Sequence, residues 1–286
     1  TGASPALMGA CSHKGISLCF MSQTGRFLAS VTGEIKGNVI LRKEQYRISD
    51  DSVRVLPIAR NMIIGKIYNS KWVLNRATRD HPMQVNIEEI KKVTSNLDGA
   101  IERLLTVDNM ESVLGIEGNA ASQYFSVFDE LILNNKDVFF FKNRNRRPPM
   151  DNVNAILSFA YTLLTNECAA ALSSVGLDPY VGFLHCEHPG RVSLALDLVE
   201  ELRSVFADRF VLSMINRKMI KPSDFVQKEN GAVLLNENGR KAVLNAWQNK
   251  KKEVIKHPFL NEKVEWGLVP YVQSLLLARY IRGDLD

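Results

Sequence analysis

Cysteine is scarce: four in 286 residues, at Cys11, Cys19, Cys168 and Cys186. None belongs to a C-x-x-C pair, and three lie in apolar stretches, where a thiol acts as a small hydrophobe. That speaks against a disulfide framework and predicts a reduced, cytoplasmic setting. No run of about 18 or more uncharged apolar residues occurs, so no membrane span is expected. No charged-then-apolar leader precedes a small-residue cleavage site, so no secretion signal is read. Internal repeats and low-complexity tracts are missing too. With 45% hydrophobic and 23% charged residues, the composition is that of a globular chain rather than a disordered one.

What is present is basic charge in clusters. The formal net charge is +5. Basic residues gather at Lys142-Arg144-Arg146-Arg147, Arg217-Lys218-Lys221, Arg240-Lys241 and Lys250-Lys251-Lys252. One such cluster is ordinarily a solvated surface. Four in one chain point to a phosphate-bearing partner.

The first 35 residues predict a helix, a strand over Ile16–Phe20, a turn at Thr24-Gly25 and a second strand over Phe27–Val31. Two strands cannot close a sheet core alone. The segment is therefore expected to be the remnant of a larger β domain with N-terminal sequence missing. From residue 36 to 286 the pattern is helical. Residues 52–70 carry Val53, Val55, Leu56, Ile58, Ala59, Met62, Ile63 and Ile67 on one broad face, capped by Asp51 or Ser52, with Pro57 placed near the first turn. A second helix covers 87–105 behind Asn86, and a third covers 120–133. Pro148-Pro149 interrupts, and Asp151 caps a long buried helix over 153–172. Further helices are expected over 192–206 and 268–282, the last with Pro270 in its first turn and Gly283 as its stop. Between them, GAVLLNENGRKAVL predicts an extended piece, a turn at Asn236–Gly239 and a helix start. The fold class is mainly α.

Three segments carry candidate chemistry. GFLHCEHPGR, residues 182–191, sets His185, Cys186, Glu187 and His188 side by side. Four adjacent residues rarely converge on one ion, and Pro189-Gly190 argues against a helix that would align His185 with His188. A lone histidine at His185 is more often a core or capping residue than a ligand. Downstream, SLALDLVEELRSVF places Asp197 and Glu200 at i and i+3 beside an apolar face. Buried acids there need an ion or a partner such as Arg203. In GIEGNAASQYF, Glu117 lies among small residues that let a phosphate approach, in what reads as the first turn of a helix continuing through Ala121 and Tyr124. A glutamate there is also an ordinary helix-start residue. One imidazole with carboxylates suits Mg²⁺ or Mn²⁺, which would act on a phosphodiester.

GIEGNAASQYF, FKNRNRRPPMDNVNAILSFAYTLL, GLDPYVGFLHCEHPGRVSLALDLVEELR and SMINRKMI, in this order, resemble the CRISPR-associated adaptation integrase and endonuclease, the DNA-integrating subunit of CRISPR spacer acquisition. GRKAVLNAWQNKKKE and PYVQSLLLARYIRGDL resemble its last helices. The resemblance implies an N-terminal β-sandwich followed by a helical catalytic domain. It implies a Mg²⁺ or Mn²⁺ site at Glu117, His185 and Glu200, with Asp197 supporting. The implied reaction is attack by the 3′-hydroxyl of a captured DNA fragment on the repeat backbone. Tyr124, Arg146, Arg147 and Asn154 are then expected near the scissile phosphate, and Arg42, Arg60, Lys66 and Lys218 as further DNA contacts. Expected partners are double-stranded DNA, a second copy in a homodimer, a small ferredoxin-like adaptation protein and a DNA-trimming CRISPR nuclease. The rival readings are a non-catalytic helical DNA-binding scaffold and a zinc hydrolase using His185, Cys186 and His188.

Overall fold

The computed structural model describes residues 2–14, 16, 18–22, 27–31 and 39–285. The opening helix α1 (Pro5–His13) starts behind Ser4, whose side chain accepts from the Leu7 amide, and buries none of its residues. Strands β1 (Leu18–Met21) and β2 (Phe27–Val31) pair antiparallel, with Leu18 opposite Val31 and a shift of register after Phe20. The turn expected at Thr24-Gly25 lies outside the described residues.

Helices build the rest. Helix α2 (Val39–Ser49) leads into α3 (Ser52–Asp80), a 29-residue rod ten residues longer than its apolar pattern predicts. Asp51 caps it, accepting from the Val53 and Arg54 amides, so the helix does begin at Ser52. Pro57 therefore sits in the second turn and not the first, where its ring removes one ladder hydrogen bond near the helix end. Helix α3 is the central element. Its buried residues Ile58, Ile63, Ile67, Val73 and Leu74 form the spine against which α4 (Ile87–Thr106), α5 (Met110–Ser126) and α7 (Ser193–Leu202) pack.

Two sequence expectations shift here. The third helix begins ten residues early, capped by Asn109, and stops at Ser126, giving way to a 3-10 turn over Phe128–Leu131. Gly115 and Gly118 look like breakers but lie within α5. Each costs about 1 kcal/mol in a helix, too little to stop one that buries Val113, Ala120 and Tyr124. The helix expected over 192–206 does not end there either. Helix α7 passes through a π-helical segment, Arg203–Asp208, directly into α8 (Arg209–Asn216). The wider turn resets which residues share a face, so a 3.6-residue period misses the continuity.

Helix α6 (Asn152–Ser174) begins behind Asp151, as expected, and crosses the core with Ile156, Leu157, Leu164 and Leu172 fully buried. By length and composition it is the one described helix that could cross a membrane, and half of that window is buried within the protein. Two small hairpins decorate the C-terminal part: β3 (Phe225–Gln227) with β4 (Val233–Leu235), and β5 (Val254–Lys256) with β6 (Lys263–Glu265). Asn236 caps α9 (Glu237–Lys251) directly, so the turn expected at 236–239 is the helix start itself. Phe206 packs on Trp247 and Trp266, with ring centroids 4.7 and 5.1 Å apart, tying the π-helical segment to α9. Helix α10 (Val269–Ile281) closes the chain, and Gly283 follows with φ of 76°. Of the cysteines only Cys168 is buried; Cys19 and Cys186 are exposed, so the apolar surroundings read from the sequence hold in full for Cys168 alone.

Candidate active site

The site forms where α3, α5 and α7 meet the loop that precedes α7. Glu117 projects from the third turn of α5, not from a first turn, and is half-buried. A side chain built on Gly115 or Gly118 would meet nothing within 4 Å, so the surface on either side of Glu117 is open to a ligand. Glu200, near the end of α7, is 4% exposed. Its Oε1 pairs with Arg203 Nη2 at 2.6 Å, and its Oε2 lies 2.6 Å from Lys66 Nζ. The same ammonium pairs with Glu117 Oε1. Burial pushes the Glu200 carboxyl up, but Arg203 and Lys66 outweigh it and hold the group below the usual carboxylate value.

His185 is carried by an irregular loop, residues 177–192, and the loop is built around one carboxylate. Asp197 is completely buried. Its Oδ2 accepts from the amides of Phe183 (2.6 Å) and Leu184 (3.0 Å), and its Oδ1 from the amide of His185 (2.9 Å). His185 Nδ1 lies 2.7 Å from the same Oδ1. The ring is thereby fixed through Nδ1, leaving Nε2 as the nitrogen available to a ligand, the arrangement in which a carboxylate orients a metal-binding imidazole. Asp197 supports the site through His185, with both its oxygens already engaged. Gly182 is required by this packing: a Cβ there would stand 2.9 Å from Asp197 Oδ2 and 3.0 Å from the His185 carbonyl oxygen. From α2, Gln45 clamps the loop. Its Nε2 donates to the carbonyls of Asp178 and Val181, both at 2.8 Å, and its Oε1 accepts from the Asp178 amide. Nothing in the local sequence around Gln45 marks it, because its partners lie more than 130 residues away.

Cys186, Glu187 and His188 are exposed on the turn, and His188 Nδ1 faces its neighbour's carbonyl, Pro189 O, at 3.1 Å. Among the described residues no three His, Cys, Asp or Glu side chains already converge as a metal-binding group. At Glu117 and Glu200 the reason is visible: the Lys66 ammonium stands between the carboxylates. The donor chemistry nonetheless fits a hard cation, since two carboxylates already enclose one beside an oriented imidazole.

Behind Glu117 a second buried group forms. Asp208, 1% exposed, accepts from Tyr124 Oη at 3.0 Å and Tyr161 Oη at 2.5 Å. Burial raises its pKa to about 6, and both tyrosines are pushed well above their usual value, chiefly by burial. Tyr124 was expected near DNA; its ring instead packs edge-on against Phe125 and Phe128 inside the core, where no base can reach it. Arg203 lies over the Tyr161 ring at 5.0 Å and Arg144 over the same ring at 5.2 Å.

The basic clusters divide. Arg146 and Arg147 are exposed, and so are Arg217, Lys218 and Lys221. Arg144 turns inward, bonding Asn154 Oδ1 at 2.6 Å and Ser158 Oγ at 3.1 Å. Asn154, expected near the scissile phosphate, is fully buried and shapes the basic loop from within. It accepts from Arg144 and from the Asn145 amide, and donates to Asn143 O and to the helix-capping Asp151. Arg240 donates to Leu235 O, Lys250 pairs with Glu253 and Lys251 with Glu167, so these cations are engaged within the fold, while Lys241 pairs with Glu237 on the exposed surface. Arg42 donates to Gly176 O, and Arg60 buries its Nε without a hydrogen-bond partner. Lys66, expected to contact DNA, is buried between the carboxylates.

Comparison with known proteins places this geometry in a family. The family described as CRISPR associated protein Cas1 matches residues 1–249. A CRISPR-associated endonuclease Cas1 of Chlorobaculum tepidum is 48% identical over 283 residues, 99% of this chain and 82% of the relative. A casposase bound to its integration product superposes with a TM-score of 0.84 at 26% identity, covering 100% of this chain and 77% of that one. A chain of a partial Cas6-RT-Cas1–Cas2 complex shares the fold, with a TM-score of 0.77 at 23% identity over 98% of this chain and 82% of that one. The oriented His185, the paired carboxylates and the helical scaffold that holds them are thus features of a chain that belongs to the Cas1 family.

Proposed function

We propose that this chain is a divalent-metal-dependent DNA integrase and endonuclease that inserts captured DNA fragments into a CRISPR array. The observation that carries the proposal is the pairing of Glu117 with Glu200 around a cation, beside an imidazole that Asp197 turns outward through Nδ1. The family membership and the likeness to a casposase on its integration product support it. Glu117, Glu200 and His185 Nε2 would hold Mg²⁺ or Mn²⁺. When bound, the ion would polarise the scissile phosphoryl group and steady charge on the entering and leaving oxygens.

The chain's own residues do the rest. Arg146 and Arg147 attract the DNA backbone from the exposed loop that Asn154 and Arg144 hold in shape. Arg203 fixes one oxygen of Glu200, so the carboxylate presents the other. The 3′-hydroxyl of the incoming strand attacks phosphorus in the repeat and gives up its proton; a new P–O bond forms as the old P–O3′ bond breaks, and the displaced 3′-oxygen takes up a proton in turn. One phosphodiester replaces another, so no nucleotide cofactor is consumed. Water in place of the 3′-hydroxyl gives the endonuclease reaction.

We further propose action on double-stranded DNA in the cytoplasm, as a homodimer with a small ferredoxin-like adaptation protein. The shared fold with a chain of a Cas1–Cas2 assembly favours that partner, and a DNA-trimming nuclease completes the set. The zinc reading finds no support: Cys186 and His188 lie exposed on the turn, and His188 Nδ1 faces Pro189 O. Strand transfer of a short duplex into a repeat-bearing plasmid, with Mn²⁺ and the adaptation protein, tests the proposal. Joined product from the unaltered chain and none from His185→Ala is expected. Equal product from both would refute the site; DNA binding with no transfer under any divalent ion would favour the scaffold reading.

A further inference from the structure

The two carboxylates of the candidate site already hold a cation, and it belongs to the chain. Lys66 reaches from α3 to pair with Glu117 Oε1 and with Glu200 Oε2. Its side chain is 10% exposed, and that of Glu200 is 5%. The Glu200 oxygen facing it makes no hydrogen bond, so the 2.6 Å contact is an ion pair without directional fit. With Arg203 on the other Glu200 oxygen, two cations balance two carboxylates. A divalent ion added with Lys66 in place would leave this buried group with two excess positive charges and set the ion against an ammonium a few ångström away. That repulsion is severe in a poorly screened, low-dielectric interior.

A cavity of about 70 Å³ adjoins the ammonium, lined by Lys66, Ser70, Glu117, Tyr124, Ser204 and Asp208. Its wall also holds Arg203 and the carboxylate of Asp208, which accepts from two tyrosine hydroxyls and makes no direct ion pair, although Arg203 and Arg144 lie near enough to favour its charge. The four-carbon stem of a lysine carries its charge over several ångström without moving the helix.

We propose that Lys66 is an internal counter-cation that exchanges with the divalent ion: its ammonium joins Glu117 to Glu200 in the ion-free chain and withdraws toward Asp208 as the ion enters. The exchange rests on the metal-site reading above. It keeps the acids from repelling one another before the ion arrives, and it makes ion affinity a balance between two cations. Lys66 is thus a positioning residue that sets how tightly the chain takes its ion.

Mn²⁺ affinity measured by calorimetry and electron paramagnetic resonance, without DNA, tests this on the full chain, Lys66→Met, Lys66→Gln and Glu200→Gln. The expected result is binding about tenfold tighter in both Lys66 variants and binding lost in Glu200→Gln. Equal or weaker affinity in folded Lys66 variants overturns the exchange while leaving the metal site standing. Affinity unchanged in Glu200→Gln removes the metal site and the exchange together. A second readout needs no Lys66 variant to be stable. In the unaltered chain, the lysine-ammonium NMR signal that shifts on converting Asp208→Asn in the Mg²⁺-saturated state is expected to differ from its ion-free position. A spectrum with every buried ammonium signal unmoved by saturating Mg²⁺ overturns the proposal.

Discussion

His185 Nδ1 and Asp197 Oδ1 lie 2.7 Å apart, and the same carboxylate receives three consecutive backbone amides of the loop that carries the histidine. One buried acid therefore shapes the loop and aims the ring. Asp197→Asn substitutes an NH₂ for one accepting oxygen and turns it against those amides. Divalent-ion affinity is expected to fall about 10- to 100-fold, and strand transfer with it. Calorimetry beside the transfer assay checks this; affinity within about twofold of the unaltered chain would mean that the ring is oriented by something else.

Gly182→Ala probes the same packing from the other side. Its methyl would press on Asp197 Oδ2 and on Ser193 Cβ, each 2.9 Å away. Overpacking of this kind costs about 1–3 kcal/mol, and the displaced carboxylate should cost activity as well. Urea unfolding and transfer rates measured together decide it: an unchanged midpoint would show that the loop yields freely.

Asp208 makes stability depend on pH. Its carboxyl is raised from 3.8 to about 6 by burial, so the folded chain holds a proton that the unfolded chain releases. Well below the unfolded value of 3.8 both states are protonated and nothing is lost. Between about pH 4 and 6 the contribution turns against folding, and above that the loss is complete. Asp208→Asn removes this titration. Relative to the unaltered chain it should gain about 3 kcal/mol between pH 3.5 and 7, read from urea melts at the two pH values. A flat difference would show that Asp208 titrates as an ordinary aspartate.

The division among basic residues predicts a division in salt dependence. If about six phosphates are neutralised, log affinity for DNA should fall against log salt with a slope near −5. Arg146→Ala and Arg147→Ala should each make that slope shallower by about 1. Lys241→Ala and Lys251→Ala, whose ammonium groups already pair with Glu237 and Glu167, should leave it unchanged. Fluorescence anisotropy across a salt series measures all four; a slope lost through Lys251 rather than Arg146 would reverse the proposed DNA face.

Wherever an element is governed by its own residues, the sequence alone determined it. Asp51, Asn86 and Asp151 cap α3, α4 and α6 where their side chains stand ahead of apolar periodicity, and Gly283 ends α10 with a positive φ. Glu117, His185, Asp197 and Glu200 were legible as candidates, by residue type and through the family resemblance. Their relations were not. Only the tertiary structure turned Asp197 toward the loop, set Lys66 between two acids from different helices, brought Gln45 across more than 130 residues to Asp178, and sent Arg144 and Tyr124 inward. Capping and periodicity act within a turn or two of helix, where sequence spacing is distance. Pairing of buried charges acts through space, and the packing of α3 against α5 and α7 decides which charges meet.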